Sequence, residues 1–223
     1  MSPAIRYLLF DLDGTLTDSS EGITKCVAHA LRTVCGIEVD DLQALLPYIG
    51  PPLVDGFMAN HGVDLETARA CTAAYRARYA EVGLFENRPY DGIRAALDAL
   101  RADGYHLSVA TSKPTTFSTR ILEHFGLADC FDEICGATMD GTISTKEQVI
   151  RSLLDRLGGD ARGAMLMIGD RKYDVEGAHA FGIPCVGVLY GFGSREELEK
   201  AGADAICPDV AGLPTVIRSF HSK

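Results

Sequence analysis

Residues 5–10 read Ile-Arg-Tyr-Leu-Leu-Phe and stop abruptly at Asp11, and this apolar run followed by Asp-Leu-Asp-Gly-Thr limits the chain most. A short run of strand formers with no polar alternation is a strand buried on both faces, the kind found inside a parallel sheet. Three more runs look alike: residues 106–110 (HLSVA), 164–168 (AMLMI) and 183–189 (IPCVGVL). Between them apolar residues recur at helical spacing, at 93, 96, 97 and 100, at 117, 121, 122 and 125, and at 149, 150, 153, 154 and 157. Strand–helix–strand alternation of this kind predicts an α/β fold, a Rossmann-like parallel sheet with helices on both faces.

Residues 19–82 interrupt the rhythm. They hold only helical windows, near 22–34, 41–46, 52–60 and 65–82, broken by Gly36, Pro47, Gly50-Pro51-Pro52 and Gly62. A small helical domain inserted after the first strand is expected, with a core of residues 1–17 and 86–223 and an insertion of 18–85. Arg69, Arg76 and Arg78 with Glu66 and Glu81 read as a solvated helix face.

The 31 acids outnumber the 21 Lys and Arg, for a net charge of −10. This argues against a nucleic acid polymer or an anionic membrane as partner, since both attract basic surfaces. The seven cysteines, at 26, 35, 71, 130, 135, 185 and 207, lack metal-site spacing and read as small buried residues of a reducing compartment. The N-terminal apolar run ends in two aspartates and is neither signal peptide nor anchor, so a cytoplasmic protein is expected. Composition leaves the oligomeric state open.

Ligands of an open parallel sheet bind beyond the carboxyl ends of its strands. There the sequence places Asp11 and Asp13, then Thr111-Ser112-Lys113, then Asp170 and Asp174, with Lys146 opening the helix before the third group. Four carboxylates at one sheet edge repel unless a cation sits among them. Hard carboxylate oxygens suit Mg²⁺, which is commonly completed by water and a substrate phosphate. Thr111, Ser112 and Lys146 supply the donors and positive charge that a phosphoryl group needs, and Lys113 beside them either reaches the substrate or is a solvated side chain. Asp-x-Asp-Gly-Thr arises by chance in a chain of this length at a rate on the order of 10⁻³ to 10⁻², so an incidental acidic turn is disfavoured.

This set resembles the haloacid dehalogenase-like phosphohydrolases, in FDLDGTL (10–16), Thr111 of VATSKP, Lys146 of STKEQV and GDRKYD (169–174). The resemblance implies that Asp11 is nucleophile and metal ligand, and that Asp13 is general acid/base with its carbonyl on the metal. It implies that Thr111 and Lys146 hold the phosphoryl group, that Asp170 ligates Mg²⁺, and that Asp174 supports it. It also implies that the helical insertion is a cap. Asp18 at the junction either steers that cap or caps the following helix, and Gly50 and Pro51 either face substrate or form a plain turn. YIGPPL (48–53), LFEN (84–87), ILEHFGL (121–127) and GVLYGFGS (187–194) are similar to bacterial 5′-nucleotidase-like members, which are also labelled phosphoglycolate phosphatases. The family's hexose-phosphate mutases usually carry an Arg where this chain has Gly50-Pro51-Pro52-Leu53, and its dehalogenases lack the second aspartate of the first motif.

The expected function is Mg²⁺-dependent hydrolysis of a small phosphorylated metabolite through an aspartyl-phosphate. A nucleoside 5′-monophosphate is the first candidate and phosphoglycolate the alternative. From another class, a silent phospho-ligand-binding regulator would have lost Asp11, Asp13, Lys146 or Asp170, and none is lost. Residues 191–194 (GFGS) lack the third glycine of a dinucleotide fingerprint and read as a turn feeding a helix at 195–201, with a place on the rim of the active site as the alternative.

Overall fold

The computed structural model describes residues 5–220. Strand β1 (Tyr7–Phe10) leads to a two-residue strand β2 (Thr17–Asp18) and then to helices α1 (Ser20–Ala30), α2 (Leu53–His61) and α3 (Leu65–Arg78). The chain returns through β3 (Arg88–Pro89), which pairs with β2. It continues as α4 (Ile93–Ala102), β4 (His106–Pro114), α5 (Thr115–His124), β5 (Glu133–Ala137), α6 (Lys146–Leu157) and β6 (Met165–Gly169). Helix α7 (Lys172–His179), β7 (Cys185–Val188), α8 (Arg195–Ala201), β8 (Ala205–Cys207) and α9 (Leu213–Ser219) complete it.

Two compact units result. One holds the described residues up to Thr17 and those from Pro89 onward; the other is Asp18–Arg88. The first unit carries a six-stranded sheet in the order β5-β4-β1-β6-β7-β8, with every neighbouring pair parallel. From β1 the chain builds outward through β4 and β5 on one side and through β6, β7 and β8 on the other. The order therefore reverses at β1, and the carboxyl end of β1 is the switch point at which such sheets bind ligands.

Alternation along the strands covers both faces of this sheet. Leu9, Ala110, Met165, Met167 and Cys185 pack with Val149, Ile150, Leu153 and Leu154 of α6 and Val175 and Ala178 of α7. The alternate residues Leu8, Phe10, Leu107, Val109, Leu166 and Ile168 are all fully buried too. Truncating any one of these to Ala costs roughly 2–5 kcal/mol by lost transfer energy and the cavity left behind.

The second unit is helical, as the absence of strand-like runs predicts. Helix α1 runs on into a π-helical turn (Leu31–Cys35) ended by Gly36 in the left-handed region at φ 67°. A 3₁₀ segment (Leu42–Tyr48) is opened by Asp41, whose carboxylate accepts from the Gln43 amide. Asp64 opens α3 by accepting from the Thr67 amide at 2.8 Å. Arg78 departs from the expected solvated face: its guanidinium bonds both oxygens of Glu86 and lies 3.0 Å from the Cys26 thiol. The reason is geometric, because Arg78 ends α3 on the side that faces α1 and the returning chain. All seven cysteines are free thiols, with the sulfurs of Cys35 and Cys71 3.6 Å apart. Among the described residues no helix is long and apolar enough to cross a membrane.

Candidate active site

Asp11 is the first residue beyond β1, and its backbone N–H donates to the Ile168 carbonyl of the neighbouring strand at 2.9 Å. Gly14 turns the chain back with φ 81°, and the Gly14 N–H closes the turn on the Thr17 carbonyl at 2.8 Å. A side chain at Gly14 would be strained by that φ and would also overlap the Asp170 carboxylate, 2.2 Å from its Cβ. The glycine of Asp-x-Asp-Gly-Thr thus lets the first and fourth motifs approach each other.

Lys146 is the most heavily engaged side chain of the site. It is the first residue of α6, fixed by a capping box in which Thr145 and Gln148 satisfy each other's backbone N–H groups. Its ammonium lies 2.8 Å from Asp11 Oδ1 and 2.7 Å from Asp174 Oδ1, and it donates to the Ala110 carbonyl at 2.7 Å. Although burial disfavours its charge, the two carboxylates outweigh this and hold its pKa above the usual lysine value. The ammonium stays charged at any physiological pH. Burial, with the nearby Asp11 charge, pushes the Asp174 carboxyl up to about 6 against the pull of Lys146.

Asp13 makes a different pair. Its Oδ2 lies 3.0 Å from Lys113 Nζ, while its Oδ1 is buried with no hydrogen-bond partner among the described residues. Lys113 is 9% exposed, so it is not a solvated lysine.

Thr111, Ser112 and Lys113 are placed by the sequence just past a strand ending at 110, but β4 extends to Pro114 with a shift of register between Thr111 and Pro114. The break leaves Thr111 buried, its hydroxyl accepting weakly from the Lys113 amide at 3.3 Å. Ser112 is half-buried on the same irregular stretch.

Asp170 is fully buried. Its Oδ2 accepts from the Phe192 amide at 2.7 Å, and the Thr15 hydroxyl lies 3.4 Å from its Oδ1. Burial, then the charges of Asp174 and Asp11, push its pKa well above the ordinary carboxylate range. Carboxylate oxygens of Asp11, Asp170 and Asp174 lie within 4.8 Å of one another. With all four carboxylates ionised, the two ammonium groups would leave two negative charges uncompensated. A hard divalent cation fits both the donor set and the charge.

Sequence reasoning missed the segment that cradles Asp170. A Cβ at Gly193 would sit 1.9 Å from the Asp170 carbonyl, and one at Gly191 would sit 2.6 Å from its Oδ2. The two glycines let the 191–193 backbone press against Asp170 and present the Phe192 amide. The Gly-x-Gly spacing was the available signal, read first as a turn feeding α8 and only second as part of the site's rim. Asp18, Gly50 and Pro51 belong to the other unit. Asp18, one residue before the Ser19 cap position of α1, accepts from the Ser20 amide at 3.1 Å and pairs with Arg88 at 2.9 Å. Gly50, at φ 110°, and Pro51 join the 3₁₀ segment to α2.

Residues 8–188 match the model of the haloacid dehalogenase-like hydrolases, and the chain belongs to that family. It is 47% identical over 218 residues to a 5′-nucleotidase of Pseudomonas aeruginosa, an alignment covering 97% of this chain and 98% of the relative. It is 38% identical over 201 residues to the tyrosine-protein kinase PtkA of Mycobacterium tuberculosis, covering 90% of this chain and 68% of the relative. Relatives named phosphoglycolate phosphatase follow at lower identity. Among solved structures, a predicted phosphatase from Clostridium acetobutylicum superposes with a TM-score of 0.92 at 50% identity, covering 97% of this chain and all of that one. Family membership makes the chain a hydrolase, and the relatives named 5′-nucleotidase and phosphoglycolate phosphatase place it with the family's phosphatases.

Proposed function

We propose that this protein is a Mg²⁺-dependent phosphatase that hydrolyses a small phosphomonoester, a nucleoside 5′-monophosphate first, through an aspartyl-phosphate on Asp11. The observation that carries the reading is the buried Asp11–Lys146–Asp174 arrangement beside Asp170 at the switch point of the sheet. Asp11 and Asp170, with the carbonyl of Asp13, would hold Mg²⁺, and Asp174 would support them. The cation, when bound, supplies charge neutralisation between the nucleophile and the phosphoryl oxygens.

The chain's own groups divide the remaining work. Oδ1 of Asp11 is held by Lys146 and by the Leu12 amide at 2.8 Å, which fixes the carboxylate and leaves Oδ2 to attack phosphorus. As that P–O bond forms, the ester P–O bond breaks, and Asp13 gives a proton to the departing alkoxide through its unpartnered Oδ1. Asp13 then takes a proton from the water that attacks phosphorus. The Asp11–phosphorus bond breaks and inorganic phosphate leaves. Thr111, Ser112 and Lys146 hold the phosphoryl oxygens, and Lys113 orients Asp13. Asp18–Arg88 acts as a cap in which Gly50 and Pro51 contribute to substrate choice. Free thiols throughout suit a reducing cytoplasm.

The nucleotide assignment draws support from the 5′-nucleotidase relative, and a second reading as a phosphoglycolate phosphatase from the relatives of that name. Comparing kcat/KM for AMP, IMP, sugar phosphates and 2-phosphoglycolate should rank a nucleotide first. A higher value for 2-phosphoglycolate replaces that substrate, and tight binding without phosphate release indicates a silent binder.

The cation reading has its own test in thermal unfolding with and without Mg²⁺. The raised pKa of Asp170 means the folded, metal-free protein keeps a proton that the unfolded chain has lost. That proton's stabilisation fades as pH rises above the ordinary carboxylate value near 4. Mg²⁺ should therefore raise the melting temperature more at pH 7.5 than at pH 4.5. An equal or smaller gain at pH 7.5 refutes it.

A further inference from the structure

Helix α8 begins with Ser194-Arg195-Glu196-Glu197, the spacing of a capping box. Half of the box is made: the Ser194 hydroxyl accepts from the Glu197 N–H at 3.1 Å. The other half is diverted. Oε1 of Glu197 leaves its own helix and accepts from Arg171 Nε at 2.8 Å and from the Lys172 amide at 2.9 Å. These donors lie immediately after Asp170, and the contact spans 25 and 26 residues of sequence. Both partners are largely screened from water, with 17% of the Arg171 and 24% of the Glu197 side chain exposed.

The same segment grips Asp170 at its other end. Phe192 donates its amide to Asp170 Oδ2, and Gly193 abuts the Asp170 carbonyl. The chain from 192 to 197 therefore closes on 170–172 at two points, one on the carboxylate and one just behind it. Glutamate here gives up a local helix cap for a bond to a distant loop. That exchange is understandable if the loop must be held to a narrow geometry, as groups behind a metal ligand usually are.

Resting on the cation-dependent reading of the site, we propose that Glu197 is a positioning residue that holds the 170–172 loop, through Arg171 and the Lys172 amide, so that Asp170 is set for a divalent cation. Its role is geometric. One oxygen accepts both bonds, so a neutral acceptor of the same shape should serve nearly as well.

Isothermal titration of the metal-stripped full chain with MgCl₂ alone tests this. Glu197→Ala should weaken the Mg²⁺ dissociation constant by about tenfold, the lower range for losing such a supporting group. Its kcat should recover at saturating Mg²⁺ with substrate KM little changed, which general loosening of the fold would not produce. Glu197→Gln should restore an affinity close to wild type. Arg171→Ala should weaken binding as well, and its combination with Glu197→Ala should cost less than the two separate losses together. Wild-type affinity in Glu197→Ala overturns the proposal, as does Glu197→Gln binding as poorly as Glu197→Ala. If Glu197→Ala does not fold by circular dichroism, Arg171→Ala decides, and unchanged affinity there overturns it. Failure of the wild-type protein to bind Mg²⁺ is a separate outcome that removes the cation reading before any variant is compared.

Discussion

Asp11→Asn should abolish turnover while leaving a folded protein. An amide oxygen is a poor nucleophile towards phosphorus, and loss of a nucleophile typically lowers kcat on the order of 10⁴- to 10⁶-fold. The fold should tolerate the change because Lys146 keeps Asp174 and the Ala110 carbonyl as partners. Removing one negative charge also relieves the crowding among Asp11, Asp170 and Asp174. The metal-free variant should therefore melt no lower than wild type, and the Mg²⁺-induced gain should shrink because a charged ligand is gone. Steady-state phosphate release and thermal unfolding, measured on one preparation, check both halves. Wild-type turnover in the variant removes Asp11 as the nucleophile, and a large fall in metal-free melting temperature makes it a structural residue instead.

This combination, catalytic loss with retained or improved stability, follows from how the site is built. A buried cluster of like charge is costly to the fold and is retained because chemistry needs it. The sheet absorbs the cost. β1 is hydrogen-bonded on both sides, to β4 and β6, and is buried on both faces, so the turn after it rests on the most constrained part of the core.

How much of this was legible beforehand depends on the kind of signal each element leaves. The central strands leave uninterrupted apolar runs because both faces are covered, and β1, β4, β6 and β7 stand where those runs stand. β5 and β8 lie at the two edges of the sheet and were missed. The first, Glu-Ile-Cys-Gly-Ala, carries a charge and a glycine, and the second has only three residues. A half-covered edge has no need of a continuous apolar run, so it leaves no such pattern.

The site shows the same division. Asp11, Asp13, Lys146, Asp170 and Asp174 are side chains at strand and helix ends, and such chemistry can be read from residue type and place. The Phe192 amide cannot, because a backbone donor has no residue code; only the flanking glycines hinted at it. Glu197 was hidden for another reason. Its position three residues after Ser194 fits an ordinary helix cap, and the bond to Arg171 is set by tertiary packing of α8 beside α7. Arg78 was misread likewise, since helical spacing offered Glu81 while the fold brought Glu86 nearer.

Lys146→Met is expected to have the largest combined effect on stability and activity. Methionine matches the length of the lysine stem and fills its space, so little cavity forms. What is lost is the ammonium shared by Asp11 and Asp174, together with the donor to the Ala110 carbonyl. Asp174 is 1% exposed, so its charge would be left in the interior with no cation beside it. Breaking a buried pair from one side costs about 3–5 kcal/mol, because the stranded charge keeps its desolvation penalty. The carboxyl can lower that cost by taking up a proton, so destabilisation should be smaller at pH 5 than at pH 8. Asp174→Asn in the Lys146→Met background should recover part of the lost stability without recovering turnover, since the charge that the proposed function sets against the phosphoryl group is still missing. Chemical denaturation at the two pH values, with phosphate release measured alongside, separates these contributions. Equal destabilisation at both pH values, or no recovery in the double variant, would show that Lys146 contributes through packing and not through its charge.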